Sequence, residues 1–176
     1  MKLIVQIPCY NEENTLPLVL GSIPKKIPGI DSIETLIIDD GSTDKTVDVA
    51  RRSAVQHIVR HRQNRGLAIS FADGLDHALR HGADIIVNID GDNQHPAQEI
   101  PRLIQPILDG THDIVVADRE VHKILYFSPT KRLLERFVGD PDVSGSHESA
   151  PDGFLLAYGA SVARRRLRRA SVVDVV

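Results

Sequence analysis

A chain of 176 residues with a formal net charge of −3 suits one domain with a real core and carries no global bias toward nucleic acid. Aromatic residues are only 4% and tryptophan is absent, which argues against a base-stacking surface. The single cysteine, Cys9, excludes an internal disulfide and fits a reducing cytoplasm, and no run approaches the ~18 apolar residues that a membrane span needs.

The start, KLIVQIP, reads as a first strand; its apolar run is too short for a signal peptide. ENTLPLVLGSI predicts a helix, with Glu12 and Glu13 near its positive end. ETLIIDD is a second strand. Ser42 or Thr43 is placed to cap a helix through Thr46, Val49 and Ala50. HIVRH is a short third strand. GLAISFADGLDHALRHG predicts a helix whose apolar face holds Leu67, Phe71, Leu75, Ala78 and Leu79, closed by Gly82. DIIVNID is a fourth strand. PAQEIPRLIQPILDG is helical between Pro96 and Gly110, with kinks or breaks expected at Pro101 and Pro106. HDIVVADR is a fifth strand. Beyond Arg119, Tyr126 to Phe137 mixes apolar and basic residues and fits either a membrane-surface segment or an ordinary surface helix. The basic-then-apolar end has no clear place in a sheet.

Strands alternating with helices predict an α/β fold with a mainly parallel sheet covered on both faces. Such sheets bind ligands beyond the C-terminal ends of their strands. The polar clusters fall there: PCYNEE, DDGS, DGDNQ and DR.

In DGDNQ, Asp90, Asp92 and Gln94 alternate, so an extended segment points all three side chains one way. Two carboxylates and an amide oxygen are hard ligands that suit Mg²⁺ or Mn²⁺. A cation bridging to a diphosphate would relieve the repulsion between the aspartates; a plain solvated turn is the competing reading. Asp39 or Asp40 can accept from ribose hydroxyls or a base N–H, or simply end a strand. Arg65 and Gly66 before a helix start suit an anion or a close backbone approach. His77 and His81, at i and i+4 with Asp73 on the same face, have a zinc-compatible spacing. No further ligand is evident in the sequence, so a polar helix face is the expectation there.

Taken in order, IPCYNEENTL, LIIDDGSTDKT, NRGLAISFADGLDHA and NIDGDNQHP resemble the family-2 inverting glycosyltransferases, over about Leu3 to Arg136. DGDNQHPAQEIPRLIQPI and VVADRE are most similar to the polyprenyl-phosphate, dolichol-phosphate mannosyltransferase-like branch. The resemblance implies a nucleotide-diphospho-sugar transferase (GT-A, Rossmann-like) fold. It implies that Pro8, Tyr10, Asn11 and Glu12 line the nucleotide pocket and that Asp39 contacts the base. Asp40 and Ser42 support that loop, and Gly66 admits the nucleotide. Asp90, Gly91 and Asp92 form the metal-diphosphate motif, with Gln94 a third ligand of Mg²⁺ or Mn²⁺, and Arg119 stands near the phosphates.

The implied donor is a UDP- or GDP-sugar, and the acceptor a lipid phosphate or a glycan hydroxyl. The place of action is the cytoplasm, peripherally at the inner face of a membrane. Residues 1–138 form the nucleotide-sugar domain and 139–176 a shortened or divergent acceptor-side tail. There Gly153-Phe154 is kept, but Leu155 stands where the branch has arginine, and Asp152 is the carboxylate placed as an acceptor-side base. The alternative is a truncated, non-catalytic nucleotide-sugar-binding protein. An aspartate-nucleophile phosphatase fits poorly, because that chemistry places its aspartate pair at the first strand.

Overall fold

The computed structural model describes residues 1–94, 96–112, 114–117, 155–159 and 170–172. Arg119, Asp152 and the basic segment from Tyr126 to Phe137 lie outside the described residues.

In chain order the elements are β1 (Lys2–Cys9), α1 (Leu16–Ser22), β2 (Ser32–Asp39), α2 (Thr46–Arg52), β3 (His57–Arg60) and α3 (Leu67–Arg80). They continue with β4 (Ile85–Asn88), a 3₁₀ turn (Ala97–Glu99), α4 (Ile100–Leu108), β5 (Ile114–Ala117), β6 (Leu155–Gly159) and β7 (Ala170–Val172). All described strands join one sheet in the order β3-β2-β1-β4-β6-β5-β7. β3, β2, β1 and β4 are mutually parallel. β6 runs antiparallel between β4 and β5, and β7 lies parallel to β5 at the edge. The expectation of a mainly parallel α/β sheet therefore holds, with β6 the one reversed strand among those described. Local pattern had left residues 170–172 without a sheet position. Their placement comes from pairing with β5, more than fifty residues upstream.

A strand covered on both faces needs apolar side chains at successive positions, and β1 is buried from Leu3 to Cys9. On one face Leu3, Val5 and Ile7 share an apolar cluster with Leu16 and Val19 of α1, Ala50 of α2, and Ile100, Leu103 and Ile104 of α4. The alternate positions meet α3, which approaches very closely. A Cβ built on Gly74 would stand 2.7 Å from Gln6 Oε1 and 2.8 Å from Ile38 Cδ1.

That approach corrects the expected face of α3. Ser70, Phe71, Gly74 and Ala78 are buried, whereas Leu67 and Leu79 are 42% and 37% exposed. The small residues let the backbone lie against the sheet, and this rotates the two leucines outward. The breaks expected in α4 are also absent. Pro101 falls in the first turn, where a missing N–H costs nothing, and Pro106 falls near the last. Among the described residues no helix is long and apolar enough to cross a membrane.

Candidate active site

The parallel strands bring the loops after β1, β2 and β4 to one edge of the sheet. The first two are knitted together. Asn11 takes a left-handed backbone (φ 57°). Its N–H donates to Ser42 Oγ at 2.9 Å, and its Oδ1 accepts from the Thr43 N–H at 2.8 Å. The Glu12 N–H donates to Thr46 Oγ1 at 2.8 Å. Glu13 and Asp44 complete the tie, for the Glu13 N–H reaches Asp44 Oδ2 (3.1 Å) and the Lys45 N–H reaches Glu13 Oε2 (3.0 Å).

Ser42 is thus not the cap of α2. That helix begins only at Thr46, whose N–H donates to Asp44 Oδ1 at 2.9 Å. Ser42 is buried and faces Asn11 instead. Ser42→Ala is expected to cost about 1 kcal/mol, the usual net value of one such bond, as measured by urea unfolding.

Asp39 and Asp40 end β2 and do different work. Asp39 is fully buried; its Oδ1 accepts the Ser42 N–H at 3.1 Å, and its Oδ2 accepts from Arg60 Nε at 3.2 Å. Asp40 holds the loop between β3 and α3. It accepts from His61 Nδ1 (2.7 Å) and from the N–H groups of Arg65 (2.8 Å) and Gly66 (2.9 Å). His61 Nε2 and Arg65 Nη1 both reach Asp73 Oδ2 at 3.0 Å. Gly66, at φ 89°, turns the chain into α3 in a conformation that other residues rarely adopt. The local sequence shows Asp40 as one acidic residue among several; only the fold reveals the loop it gathers.

The loop after β4 carries Asp90, Gly91 and Asp92. Gly91 is buried, and a Cβ on it would stand 2.9 Å from Cys9 Sγ and 3.3 Å from Glu12 Cγ. The glycine between the aspartates is therefore what seats this loop against the end of β1. Beyond Asp92 the chain turns through Asn93 (φ 64°), and the Gln94 N–H donates to Asp92 Oδ1 at 3.0 Å. The segment is a turn rather than the extended run that the alternation of Asp90, Asp92 and Gln94 assumed. Gly91→Ala is expected to cost about 1–3 kcal/mol through overpacking, and to displace both aspartates. Its signature is a lowered melting temperature.

Cys9 reports the electrostatics of this edge. Its thiol is raised well above the ordinary value, first by burial and then by the charges of Glu12, Asp39, Asp90 and Asp44. Negative charge from the end of β2 and from the loops after β1, β2 and β4 thus acts on this one buried thiol. An oxygen-rich, acidic edge of this kind fits a hard divalent cation, with Asp90 and Asp92 partly exposed toward solvent. The structure brings together Pro8, Tyr10, Asn11, Glu12, Asp39, Asp40, Ser42, Gly91 and the two motif aspartates at adjoining loops. Gly66 joins through Asp40. Sequence reasoning missed Glu13, Asp44, Thr46 and His61, whose partners lie in other loops.

An α/β sheet with acidic loops at its C-terminal edge has solved counterparts among nucleotide-sugar enzymes. Glucosyl-3-phosphoglycerate synthase from Mycobacterium tuberculosis was solved in complex with Mn²⁺, uridine diphosphate and glucosyl-3-phosphoglycerate. It matches with a TM-score of 0.56 at 30% identity, over 68% of this chain and 44% of that one. The fold is the GT-A type. The family model described as Glycosyl transferase family 2 matches residues 4–169, and the chain belongs to that family. Undecaprenyl-phosphate mannosyltransferase of Micrococcus luteus is 33% identical over 125 residues, 69% of this chain and 49% of that protein. Polyprenol monophosphomannose synthase of Mycolicibacterium smegmatis is 31% identical over 163 residues, 83% of this chain and 60% of that protein. The chain thus spans about half the length of the curated relatives it matches.

Proposed function

We propose that this chain is an inverting glycosyltransferase that moves a hexose, such as mannose, from a UDP- or GDP-sugar to a polyprenyl phosphate. The observation that carries this reading is the seating of the Asp90-Gly91-Asp92 loop against Cys9 and Glu12, beside the knitted loops of β1 and β2. The names of the polyprenyl-phosphate relatives support the acceptor class.

In this reading residues 1–138 hold the donor and 139–176 serve the acceptor side. Asp90 and Asp92, with Gln94 beside them, would hold Mg²⁺ or Mn²⁺. The bound ion supplies Lewis-acid stabilisation of the charge that builds on the departing diphosphate. Tyr10, Asn11 and Glu12 border the nucleotide, and Asp39 fixes the loop that shapes the base pocket. Asp40 and Gly66 set the approach of α3. A lipid phosphate acceptor is already largely ionised near neutral pH, its second pKa being about 6, so it needs no general base. A glycan hydroxyl would need one, and Asp152 is the residue proposed for that role. Arg119 is proposed to steady the acceptor or donor phosphates. The place of action is proposed as the cytoplasmic face of a membrane, with peripheral contact.

The test is transfer of labelled sugar from UDP- and GDP-sugars to a short-chain polyprenyl phosphate, with Mn²⁺ or with chelator. Metal-dependent labelled lipid is the expected product. Metal-dependent nucleotide binding without transfer or hydrolysis, for every donor tried, would show a binding protein instead.

A further inference from the structure

At the N-terminal end of β3, three histidines meet. His57 opens β3, and His77 and His81 lie one turn apart at the C-terminal end of α3. One ring nitrogen from each lies within 4.8 Å of those of the other two. The rings also touch: His57 and His77 have centroids 5.2 Å apart, His57 and His81 4.6 Å, and His77 and His81 4.0 Å. Asp73, the helix carboxylate that the sequence set beside this pair, is engaged by His61 and Arg65 instead. The third member comes from a different element, twenty residues upstream.

The hydrogen bonds around the cluster leave lone pairs available. Glu34 Oε2 stands 2.7 Å from His57 Nε2 and is itself paired with Lys2 Nζ at 2.8 Å. A carboxylate only accepts, so Nε2 carries the proton, and in the neutral ring Nδ1 keeps a lone pair. His81 Nδ1 lies 2.8 Å from the His77 carbonyl oxygen, which likewise only accepts, so Nε2 is its basic nitrogen. His77 Nε2 is buried with no hydrogen-bond partner. A carboxylate holding one ring and a carbonyl holding another is the arrangement that orients histidine ligands.

We propose that His57, His77 and His81 form a binding site for a borderline transition-metal ion, Zn²⁺ foremost, which clamps α3 to the β3 edge of the sheet. Three imidazoles suit Zn²⁺, Ni²⁺ or Cu²⁺ rather than Mg²⁺, and water completes the tetrahedron. The site lies at the N-terminal end of β3, beside Lys2 and Glu34, on the side away from the acidic edge where Asp39 pairs with Arg60. It is therefore chemically and spatially distinct from the metal site proposed at Asp90 and Asp92. Each lone pair lies in its ring plane, and the His77 and His81 rings are stacked at 17°. Ligation thus splays these two rings apart.

Zn²⁺ titration in excess Mg²⁺, followed by calorimetry and thermal unfolding, tests the site without reference to catalysis. The wild-type chain and Asp92→Ala are expected to bind one Zn²⁺ each and to melt at a higher temperature with it. His57→Gln and His81→Gln each abolish that shift. His81 is exposed, so His81→Gln keeps its metal-free melting temperature and serves as the folding control. Glu34→Gln weakens Zn²⁺ by about 10-fold or more while leaving the three ligands in place. Cobalt should give the visible absorption of a tetrahedral site in the wild-type chain and in Asp92→Ala, and in neither histidine variant. No Zn²⁺ bound by the wild-type chain, or unchanged affinity in both histidine variants, would overturn the proposal.

Discussion

Replacing Asp92 with alanine is expected to lower the proposed sugar transfer by about a thousandfold while the melting temperature of the protein stays close to that of the wild-type chain. The size follows from the several kcal/mol that a metal ion contributes to stabilising developing charge, at about 1.4 kcal/mol per tenfold in rate. The small effect on stability follows from the position. Asp92 is partly exposed in a turn, and its one described contact is the Gln94 N–H. Initial rates at saturating donor, read beside thermal unfolding, separate the two effects. A variant that keeps wild-type turnover would remove Asp92 from the reaction. A variant that unfolds would mark the residue as a structural one.

Asp40→Ala has the opposite profile. Asp40 is buried and collects three donors, one from His61 and two backbone N–H groups from Arg65 and Gly66. Truncating it strands all three, at an expected cost of about 3–5 kcal/mol, the range for removing one partner of a buried pair. Activity would then fall because the loop between β3 and α3 loses its anchor, although Asp40 need not touch the substrate. The pH dependence has a definite sign. Burial acts to raise the Asp40 carboxyl, but the bonds from His61, Arg65 and Gly66 outweigh it and hold it below the ordinary carboxylate value. Its stabilisation is complete above the unfolded-state value of about 4 and is lost as pH falls through the lower folded-state value. The stability gap between wild-type and Asp40→Asn protein should therefore narrow in acid, as urea titrations across that range would show.

Much of this architecture is legible in short apolar runs. Ile85-Ile86-Val87 and Leu36-Ile37-Ile38 are strands because they are buried on both faces, and the carboxylates that follow them then fall at the C-terminal edge of the sheet. What stayed hidden depends on contacts distant in sequence. The buried face of α3 is set by Gly74 against Gln6 and Ile38, and a count of apolar residues favoured Leu67 and Leu79 instead. Ser42 looked like a helix cap by its position, but its partner is Asn11, thirty-one residues away. His57 has no local signal linking it to His77, since only the crossover from β3 into α3 brings them together. Likewise, DGD announces a charge problem, while the reason for its glycine is visible only once Cys9 and Glu12 stand against it.

In the proposed reaction, the acidic edge formed by the loops after β1, β2 and β4 binds a nucleoside-diphosphate sugar through a divalent ion. Thermal unfolding with UDP-, GDP- and dTDP-sugars, with and without Mn²⁺, tests it most directly, because ligands that bind only the native state raise its apparent stability. The melting temperature is expected to rise with a UDP- or GDP-sugar only when Mn²⁺ is present, and not in Asp92→Ala. No rise with any nucleotide-sugar, or an equal rise without metal, would contradict it.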